Sequence, residues 1–481
     1  MSQVLIIHGW SDSSKSFRPL VQFLRRNGYQ AVTLWLGDYI SLDDDVRIED
    51  VAKRLEAVVR ERIRIGELRA PFDVIVHSTG GLVAREWLSA HYAGAMNECP
   101  VKRLIMLAPA NFGSRLAAMG KSMLGRLVKG WHNWFHTGTE MLNALELASP
   151  YQWGLAERDL FVPEGARNAP AIYGDQGVYT FVIVGTHPYT SALRQIINED
   201  GSDGTVRVPA ANLNVRGITI DFAADEDAPA LREWRLRHNV DIPFAVLPDR
   251  THGSIITPQR NEVRSNPPYD ERLGNLILEA LACGDGEQYR AVARRWYDLS
   301  EQTARLHDDA QLRAAVLKGD ADGDWFHQYL QVNVRIVDDH GLDVGDYFLE
   351  FSGPDDEKGD RSSVYFHREV LEDVHNNGLN PAYRCLYVDR TDLVENYYER
   401  IRGDVAHALF MSVSATPPGD NVGYFSDYKT GARGSVPLHF EEKRKSGRRK
   451  SLRWLRRNCT HFVKIIIPRS PKDRVFRMTK A

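Results

Sequence analysis

Residues 74–81 read Val-Ile-Val-His-Ser-Thr-Gly-Gly, an apolar run that ends in a serine followed by small residues. The amphipathic stretch from Leu82 to Tyr92 comes directly after it. This order predicts a strand, a tight turn and a helix, with Ser78 at the bend. Such a bend holds the serine hydroxyl above the edge of a sheet, where it can act as a nucleophile. Ser78 is therefore the first candidate functional residue.

Strands and helices alternate on both sides of this bend. Apolar runs predict strands at residues 4–7, 30–35, 72–76, 103–108 and 179–185, and amphipathic patterns predict helices at residues 17–27 and 50–68. Strands that alternate with helices of this length indicate a parallel sheet covered on both faces. The predicted fold class of this part is α/β.

The chain of 481 residues is longer than one core usually supports, so two domains are expected. After about residue 326 the pattern changes to short strands at residues 331–337, 347–351, 384–388, 409–414 and 462–467, separated by turn-forming clusters. We predict an α/β domain over residues 1–285, a polar helical connector over 286–325, and an antiparallel, β-sandwich-like domain over 326–481.

A serine hydroxyl is a weak nucleophile until a base takes its proton, and the base needs a group that orients it. In folds built on such a bend, the order along the chain is serine, acid, histidine. Asp203 lies in a Ser-Asp-Gly turn after the strand at 179–185 and is the best acid. The nearby residues Asp175, Asp200 and Asp221 stay open as alternatives.

His252 is the predicted base because it follows an apolar strand at residues 242–247 and lies late in the α/β domain. His187 precedes the predicted acid, and His77 lies at the bend itself, so both fit the order less well. His238 is a further alternative. A tetrahedral oxyanion would need two amide donors, which we assign to Thr79, directly after the serine, and to Trp10, after the turn at Gly9.

These segments resemble bacterial lipases and esterases of the α/β-hydrolase superfamily, including the GPI inositol-deacylase-like lipases and the phospholipase effectors of type VI secretion. The matching motifs are Leu5-Ile-Ile-His-Gly-Trp, Val76-His-Ser-Thr-Gly-Gly, Leu107-Ala-Pro-Ala-Asn-Phe-Gly-Ser, Ser202-Asp-Gly-Thr-Val and Thr251-His-Gly. The resemblance covers about residues 1–285. It implies a catalytic triad of Ser78, Asp203 and His252, an oxyanion hole at Trp10 and Thr79, and a lipid or other acyl-ester substrate.

The chain departs from the family pattern G-x-S-x-G at Val76, which replaces the first glycine. A side chain there is expected to crowd the bend. The departure leaves open a second interpretation, in which the hydrolase fold is a non-catalytic binding or adaptor protein that recruits membranes or partners through the β domain and the basic tail.

Residues 114–165 carry apolar residues at helical spacing with basic residues between them. In hydrolases of this type, a lid often follows the strand that corresponds to residues 103–108. We therefore predict that residues 114–165 form a lid, with a pair of core helices as the alternative. From Glu441 to Ala481 there are 15 lysine and arginine residues against three acidic ones, although the net charge of the chain is only −3. The lid and this basic tail predict peripheral contact with a membrane, while nucleic acid is the less favoured partner.

Four widely spaced cysteines, Cys99, Cys283, Cys385 and Cys459, indicate neither a zinc site nor a disulfide framework. We expect no cofactor and no metal, and the acidic turn at residues 355–360 is only a weak calcium candidate because its spacing is not that of an EF-hand. With no apparent signal peptide or transmembrane run, the expected location is the cytoplasm, or outside the cell through a specialised secretion system.

Overall fold

The computed structural model divides the chain into two compact units. The first comprises Met1–Asn214 and Arg235–His327, and the second comprises Val215–Trp234 and Gln328–Ala481. The structure describes residues 3–9, 15–29, 34–37, 43–118, 138–189, 197–258, 272–307, 326–352, 364–401, 408–425, 432–443, 449–452 and 454–480.

The first unit contains a six-stranded sheet in which all neighbouring strands are parallel. Its strands are β1 Val4–Ile7, β2 Leu34–Gly37, β3 Phe72–His77, β4 Val101–Leu107, β5 Tyr179–Gly185 and β8 Phe244–Leu247. They lie in the order β2-β1-β3-β4-β5-β8. The side chains of β1, β3 and β8 are all buried, as expected for parallel strands covered on both faces. The predicted α/β class of this part is confirmed.

Helices connect these strands, and the helix Gly80–Tyr92, which we call the elbow helix, leads away from Ser78. The other helices of the first unit, within the described residues, are Arg18–Leu24, Ile48–Arg64, Arg115–Ala118, Thr139–Leu145, Pro150–Asp159, Val208–Ala211, Arg272–Ala282 and Gly286–Ala304. Short 3₁₀ turns occupy Met96–Glu98, Ser254–Ile256 and Arg305–His307, and a π-helical turn occupies Arg25–Tyr29. None of the helices in the described part of the chain is long and apolar enough to cross a bilayer.

The helix Gly286–Ala304 is part of the first unit, although its polar composition predicted a connector. Tyr289 and Trp296 are buried on its inner face. The Tyr289 hydroxyl donates to a backbone carbonyl of β5 over 2.8 Å, and the Ser300 hydroxyl donates to one of β8 over 3.0 Å. The apolar stripe is narrow, so the charged outer face dominates the composition and hides the packed side. Residues 308–325 of the predicted connector lie outside the described residues.

The second unit is rich in strands, and its two larger sheets share one hydrophobic core. One sheet is antiparallel, with β10 Tyr347–Ser352, β13 Ala408–Ala415, β15 Ala432–Lys443 and β16 Arg449–Leu452 in that order. The other contains β6 Arg216–Asp221, β7 Ala230–Glu233, β9 Tyr329–Asp338, β11 Leu371–Asn376, β12 Tyr383–Asp389 and β17 Thr460–Ile467. A short pair joins β14 Val422–Tyr424 to β18 Arg469–Pro471.

Helical turns also occur in the second unit. They are Arg390–Asp392, the π-helical segments Phe366–Val370 and Leu393–Ile401, and the 3₁₀ turn Asp473–Val475.

The sheet with β17 is mixed, with the order β11-β12-β9-β17-β6-β7, whereas the sequence predicted antiparallel pairing throughout. β17 runs parallel to both of its neighbours, β9 and β6. Tight hairpins cannot join parallel neighbours, so the turn signals between successive strands did not reveal these pairs. The hairpin of β6 and β7 lies before β8 in sequence but belongs to the second unit, and the predicted boundary near residue 326 places it in the first.

Three predicted features fall wholly or partly outside the described residues. They are residues 119–137 of the predicted lid, the acidic turn at 355–360, and residues 444–448 of the basic tail.

Candidate active site

Ser78 lies directly after β3, where the chain turns into the elbow helix. Its φ angle of +53° is in the left-handed region, which costs a residue other than glycine about 1–3 kcal/mol. Neighbouring backbone groups hold this conformation. The Ser78 amide donates to the carbonyl oxygen of Leu107 over 3.2 Å, and the Ser78 carbonyl oxygen accepts from the amides of Gly81 and Ala110 over 3.0 and 3.2 Å. Such a strained bend is the backbone feature expected of a nucleophile elbow.

Gly80 packs tightly against the end of β1, next to this bend and to Val76. A Cβ atom placed on Gly80 would lie 2.9 Å from the carbonyl oxygen of Ile7 and 3.4 Å from the Cβ atom of Val76. Val76 itself is fully buried in β3. The bend therefore forms with valine at the first glycine position of the family pattern, and Gly80, two residues after the serine, is the position at which a side chain would clash with backbone.

Gly9 brings the loop after β1 into close contact with Ser78. A Cβ atom on Gly9 would lie 2.5 Å from the Cβ atom and 3.2 Å from the Oγ atom of Ser78. No side chain could occupy that space without displacing the serine. The backbone at Gly9 therefore forms one wall around the hydroxyl.

Asp203 is fully buried in the loop that follows β5. Its Oδ1 atom accepts hydrogen bonds from the amides of Thr205 and Val206 over 3.0 and 2.8 Å. Its Oδ2 atom lies 2.8 Å from Nδ1 of His252. Because the backbone occupies one carboxylate oxygen, the other has a fixed direction toward the imidazole ring.

A buried ion pair within the same loop was not predicted. The Arg207 guanidinium donates to both carboxylate oxygens of Glu199, over 2.8 and 2.6 Å, and the Arg207 side chain is almost fully buried. A bidentate pair of this kind fixes geometry. It closes the loop that carries Asp203. Two opposite charges eight residues apart give little signal in a sequence, which explains why the pair was missed.

His252 lies on the loop after β8, between Asp203 and Ser78. Its Nε2 atom is 3.0 Å from Oγ of Ser78, and its amide donates to the backbone carbonyl oxygen of Asp203 over 2.9 Å. β3, β5 and β8 are parallel, so their carboxyl ends bring the three loops to one edge of the sheet. With Nδ1 donating to Asp203, Nε2 is the ring nitrogen that can accept the serine proton.

His77 contacts His252 from beneath the elbow. Its Nε2 atom lies 3.1 Å from the carbonyl oxygen of His252, and the two ring centroids are 4.7 Å apart. The edge of Phe17 packs against His77 with ring centroids 5.9 Å apart. His77 is therefore a buried support for the His252 loop.

The alternative histidines do not bond to the serine. Within the described residues, Ser78 has no hydrogen bond with His187 or His238. Burial lowers the pKa of each of these two imidazoles to about 4. Both rings are therefore neutral near pH 7 and belong to the interior of the first unit.

The alternative acids lie in other surroundings. Asp175 accepts from the Arg290 guanidinium over 2.6 Å, and Asp221 ends β6 in the second unit. Asp200 lies three residues before Asp203 and is partly exposed. Asp203 is the aspartate that bonds to His252.

One predicted oxyanion donor is described and the other is not. Thr79 is buried at the start of the elbow helix, where the first amides of a helix carry partial positive charge. Its Oγ1 atom has no hydrogen-bond partner among the described residues. Trp10 lies outside the described residues, although Gly9 before it lies against Ser78.

Part of the predicted lid supports the elbow helix. Arg85 of the elbow helix pairs with Asp159 at the end of the helix Pro150–Asp159, through bonds of 2.8 and 3.0 Å, and both side chains are fully buried. The Tyr173 hydroxyl donates to the same carboxylate over 2.7 Å. The helix Pro150–Asp159 is therefore packed in the core and fixes the elbow helix from the side, while the lid over residues 114–165 stays a prediction, since residues 119–137 lie outside the described part of the chain.

Comparisons with known proteins were consistent with this geometry. The model of the alpha/beta hydrolase family matches residues 4–264, which is more than half of the chain. No curated protein sequence matches the chain.

Among solved structures, phospholipase PlaB from Legionella pneumophila is similar to the whole chain. The two are 25% identical, with a TM-score of 0.77 over 100% of this chain and 96% of that one. The structure of the same phospholipase in complex with thio-NAD gives a TM-score of 0.75 at 25% identity, with the same coverage. The similarity therefore includes the second unit as well as the hydrolase sheet.

Proposed function

Since the chain belongs to the alpha/beta hydrolase family, we propose that it is a serine hydrolase that cleaves carboxylic esters of lipids. The observation that carries the proposal is the hydrogen-bonded series from Ser78 through His252 to Asp203, with distances of 3.0 and 2.8 Å. Each residue has the chemistry that its place in the series requires.

The first half of the reaction forms an acyl-enzyme. The Ser78 oxygen attacks the ester carbonyl carbon while Nε2 of His252 takes the hydroxyl proton. The Asp203 carboxylate stabilises the resulting imidazolium through its bond to Nδ1. The carbonyl oxygen becomes an oxyanion, which we assign to the amide of Thr79 and to a second amide on the loop after Gly9. When the tetrahedral intermediate collapses, His252 returns the proton to the leaving alcohol.

The second half of the reaction releases the acid. A water molecule gives its proton to His252 and attacks the acyl carbon, and the intermediate expels the Ser78 oxygen, which takes the proton back. The products are a carboxylic acid and an alcohol, and the site returns to its initial state.

A lipid substrate is supported by the similarity to a phospholipase over the full length of both chains. The same similarity makes phospholipids the first substrates to test. Contact with a membrane through the basic tail fits this substrate, because cationic side chains attract anionic headgroups.

Replacing the nucleophile tests the proposal directly. We expect Ser78→Ala to lower kcat/KM by about 10⁴-fold or more, because the remaining groups can polarise an ester but cannot form an acyl-enzyme. The measurement is hydrolysis of a soluble short-chain ester and of mixed phospholipid vesicles by wild type and variant. Ser89→Ala is the matched control, because Ser89 lies on the elbow helix and bonds to the backbone of Glu86.

A fluorophosphonate probe separates this proposal from the adaptor interpretation. We expect the probe to label wild type and Ser89→Ala but not Ser78→Ala, since the probe reacts with an activated serine. Equal hydrolysis by wild type and Ser78→Ala would remove Ser78 from the mechanism. A folded wild-type protein that neither reacts with the probe nor hydrolyses any ester would favour a non-catalytic binding protein.

A further inference from the structure

The chain from Lys472 to Lys480, which we call the C-terminal segment, exposes apolar side chains to an unusual degree. Val475 is 54% exposed, Phe476 is 78% exposed and Met478 is 91% exposed. Isolated exposed apolar residues are common on protein surfaces, but three within four positions form a patch. A patch of this kind indicates a surface that contacts something apolar.

The base of the segment is fixed to the second unit. β18 pairs with β14 just before it, and the amide of Lys472 donates to the carbonyl oxygen of Asn421 over 2.9 Å. The Arg469 guanidinium bonds to the buried carboxylate of Asp338 over 3.2 Å. The Arg474 guanidinium donates to the carbonyl oxygen of Asp420. The exposed side chains therefore extend from a rigid support.

The charges of the segment are mostly positive. Lys472, Arg474, Arg477 and Lys480 alternate with the apolar residues, and Asp473 is the one acidic residue within the segment. A second acidic residue, Asp420, lies beside the segment, because its carbonyl oxygen accepts the hydrogen bond from Arg474. Cationic side chains beside an exposed aromatic ring complement a surface that is anionic at its headgroups and apolar just below them.

We propose that the C-terminal segment docks the protein on anionic phospholipid surfaces. Phe476 and Met478 enter the boundary between headgroups and acyl chains, and the cations around them hold the lipid phosphates. This inference deepens the proposed function, because it rests on a lipid substrate and assigns the contact that brings the enzyme to that lipid. Within the basic tail, it assigns the contact to residues 472–480.

The test measures binding apart from catalysis. The full-length Ser78→Ala protein, which leaves the lipid intact, is sedimented with vesicles of phosphatidylcholine alone or of equal parts phosphatidylserine and phosphatidylcholine. We expect binding to the mixed vesicles, weak binding to phosphatidylcholine, and release at about 1 M salt, where the screening length falls to about 3 Å. Failure of the catalytic proposal would appear only in the hydrolysis and labelling assays, so the two failures are distinguishable.

Variants then locate the contact. In the Ser78→Ala background, Phe476→Ser with Met478→Ser is expected to weaken partition into mixed vesicles about tenfold or more, and Arg477→Gln with Lys480→Gln about tenfold. Phe348→Ser is the matched control, because Phe348 is 60% exposed on β10 and carries no such role. Thermal unfolding of each variant checks that the fold is intact.

Three results would overturn the proposal. The first is a parent protein that binds neither kind of vesicle, and the second is a double variant, Phe476→Ser with Met478→Ser, that binds mixed vesicles as well as its parent. The third is a parent that sediments as an oligomer and becomes a monomer in the Phe476→Ser, Met478→Ser variant without loss of vesicle binding. That third result would assign the patch to another copy of the chain.

Discussion

Asp203 directs each of its two carboxylate oxygens to a different partner. The Oδ1 atom accepts from two backbone amides of its own loop, and the Oδ2 atom accepts from the imidazole of His252. The loop itself is closed by the bidentate pair of Glu199 and Arg207. At the scale of single residues, the geometry of the site thus depends on a carboxylate that cannot rotate.

This arrangement makes Asp203→Asn a specific test. An amide has one acceptor oxygen, so the side chain can satisfy the loop amides only by pointing its NH₂ group at Nδ1 of His252, which favours the wrong tautomer of the ring. We expect kcat/KM to fall by about 10⁴-fold with little change in the unfolding temperature. Steady-state kinetics on a soluble ester measure the effect.

The control for this variant is Asp175→Asn, which removes a carboxylate that pairs with the exposed guanidinium of Arg290. We expect its kcat/KM to stay within about twofold of wild type, because an exposed ion pair contributes little. If Asp203→Asn retained wild-type activity, the base of the reaction would have to be oriented by another group.

Single residues also show what a sequence can predict about this site. Ser78, Asp203 and His252 could be chosen because each follows a predicted strand and because their order along the chain is restricted. The structure brings the three together, while their catalytic roles stay a prediction. The tight packing of Gly80 against the carbonyl oxygens of Ile7 and His8 could not be predicted, because no local pattern encodes contacts with the end of β1.

The elbow helix is the element on which the site depends most. It begins one residue after Thr79, and its first residues, Gly80 and Gly81, pack against backbone and side-chain atoms of neighbouring loops. The buried pair of Arg85 and Asp159 fixes it further along. Movement of this helix would move Ser78 with it.

At this scale we predict that Gly80→Ala disturbs both stability and activity. The added Cβ atom would lie 2.9 and 3.1 Å from the carbonyl oxygens of Ile7 and His8, so backbone must shift. We expect a loss of about 1–3 kcal/mol in the free energy of unfolding and a lower kcat. Gly94→Ala is the matched control near the other end of the helix, where a Cβ atom would meet nothing within 4 Å.

The comparison of Gly80→Ala and Gly94→Ala uses urea unfolding together with ester hydrolysis. For Gly94→Ala we expect a change of less than about 1 kcal/mol. Equal stability of the two variants would show that the elbow adapts to an added methyl group beside the carbonyl oxygens of Ile7 and His8.

The helix Gly286–Ala304 shows where the prediction of elements falls short. Its position and helical nature follow from the sequence, but its assignment as a connector does not agree with the structure. Tyr289, Val292 and Trp296 recur at intervals of three and four residues, which is the spacing of a packed face. The signal was present, and the many charged residues between these positions obscured it.

Buried imidazoles link the stability of the whole molecule to pH. Burial lowers the pKa of His187, His238 and His461 to about 4 each, well below the ordinary value near 6.5. Between these two values the unfolded chain binds protons that the folded protein does not. Stability therefore rises with pH across this range and is lost as pH falls from about 6.5 toward 4.

We predict that His461→Gln reduces this pH dependence. His461 is fully buried in the second unit and lies between the backbone carbonyl oxygens of Gln331 and Trp454. Its share of the loss between pH 6.5 and pH 4 is on the order of 3 kcal/mol. The measurement is the slope of the free energy of unfolding against pH, rather than its value at one pH, because the substitution also removes hydrogen bonds.

The exposed residue His340 provides the control for that experiment, since His340→Gln replaces an imidazole whose side chain is 68% exposed. We expect the slope in His340→Gln to match that of wild type. An unchanged slope in His461→Gln would show that its ring takes up a proton in the folded protein as readily as in the unfolded chain. His238→Gln repeats the comparison in the first unit.

The division into units was the part of the molecule that the sequence predicted least well. Residues 216–221 have the pattern of an ordinary buried strand, and no local feature of the sequence indicates which of the sheets this strand joins. The parallel register with β17 joins residues far apart along the chain. The broad composition change near residue 326 located most of the second unit but missed this hairpin.

That hairpin has a consequence for synthesis on the ribosome. β6 is translated about 240 residues before its partner β17, which corresponds to a delay of roughly 10–50 s at ordinary elongation rates. During that interval the backbone of Ile218 and Ile220, both buried in the finished protein, lacks the neighbouring strand β17 with which it pairs. The nascent chain therefore exposes an unpaired strand edge until translation is nearly complete. A premature stop codon before β17 would leave that edge unpaired in the released chain, which would favour aggregation or proteolysis.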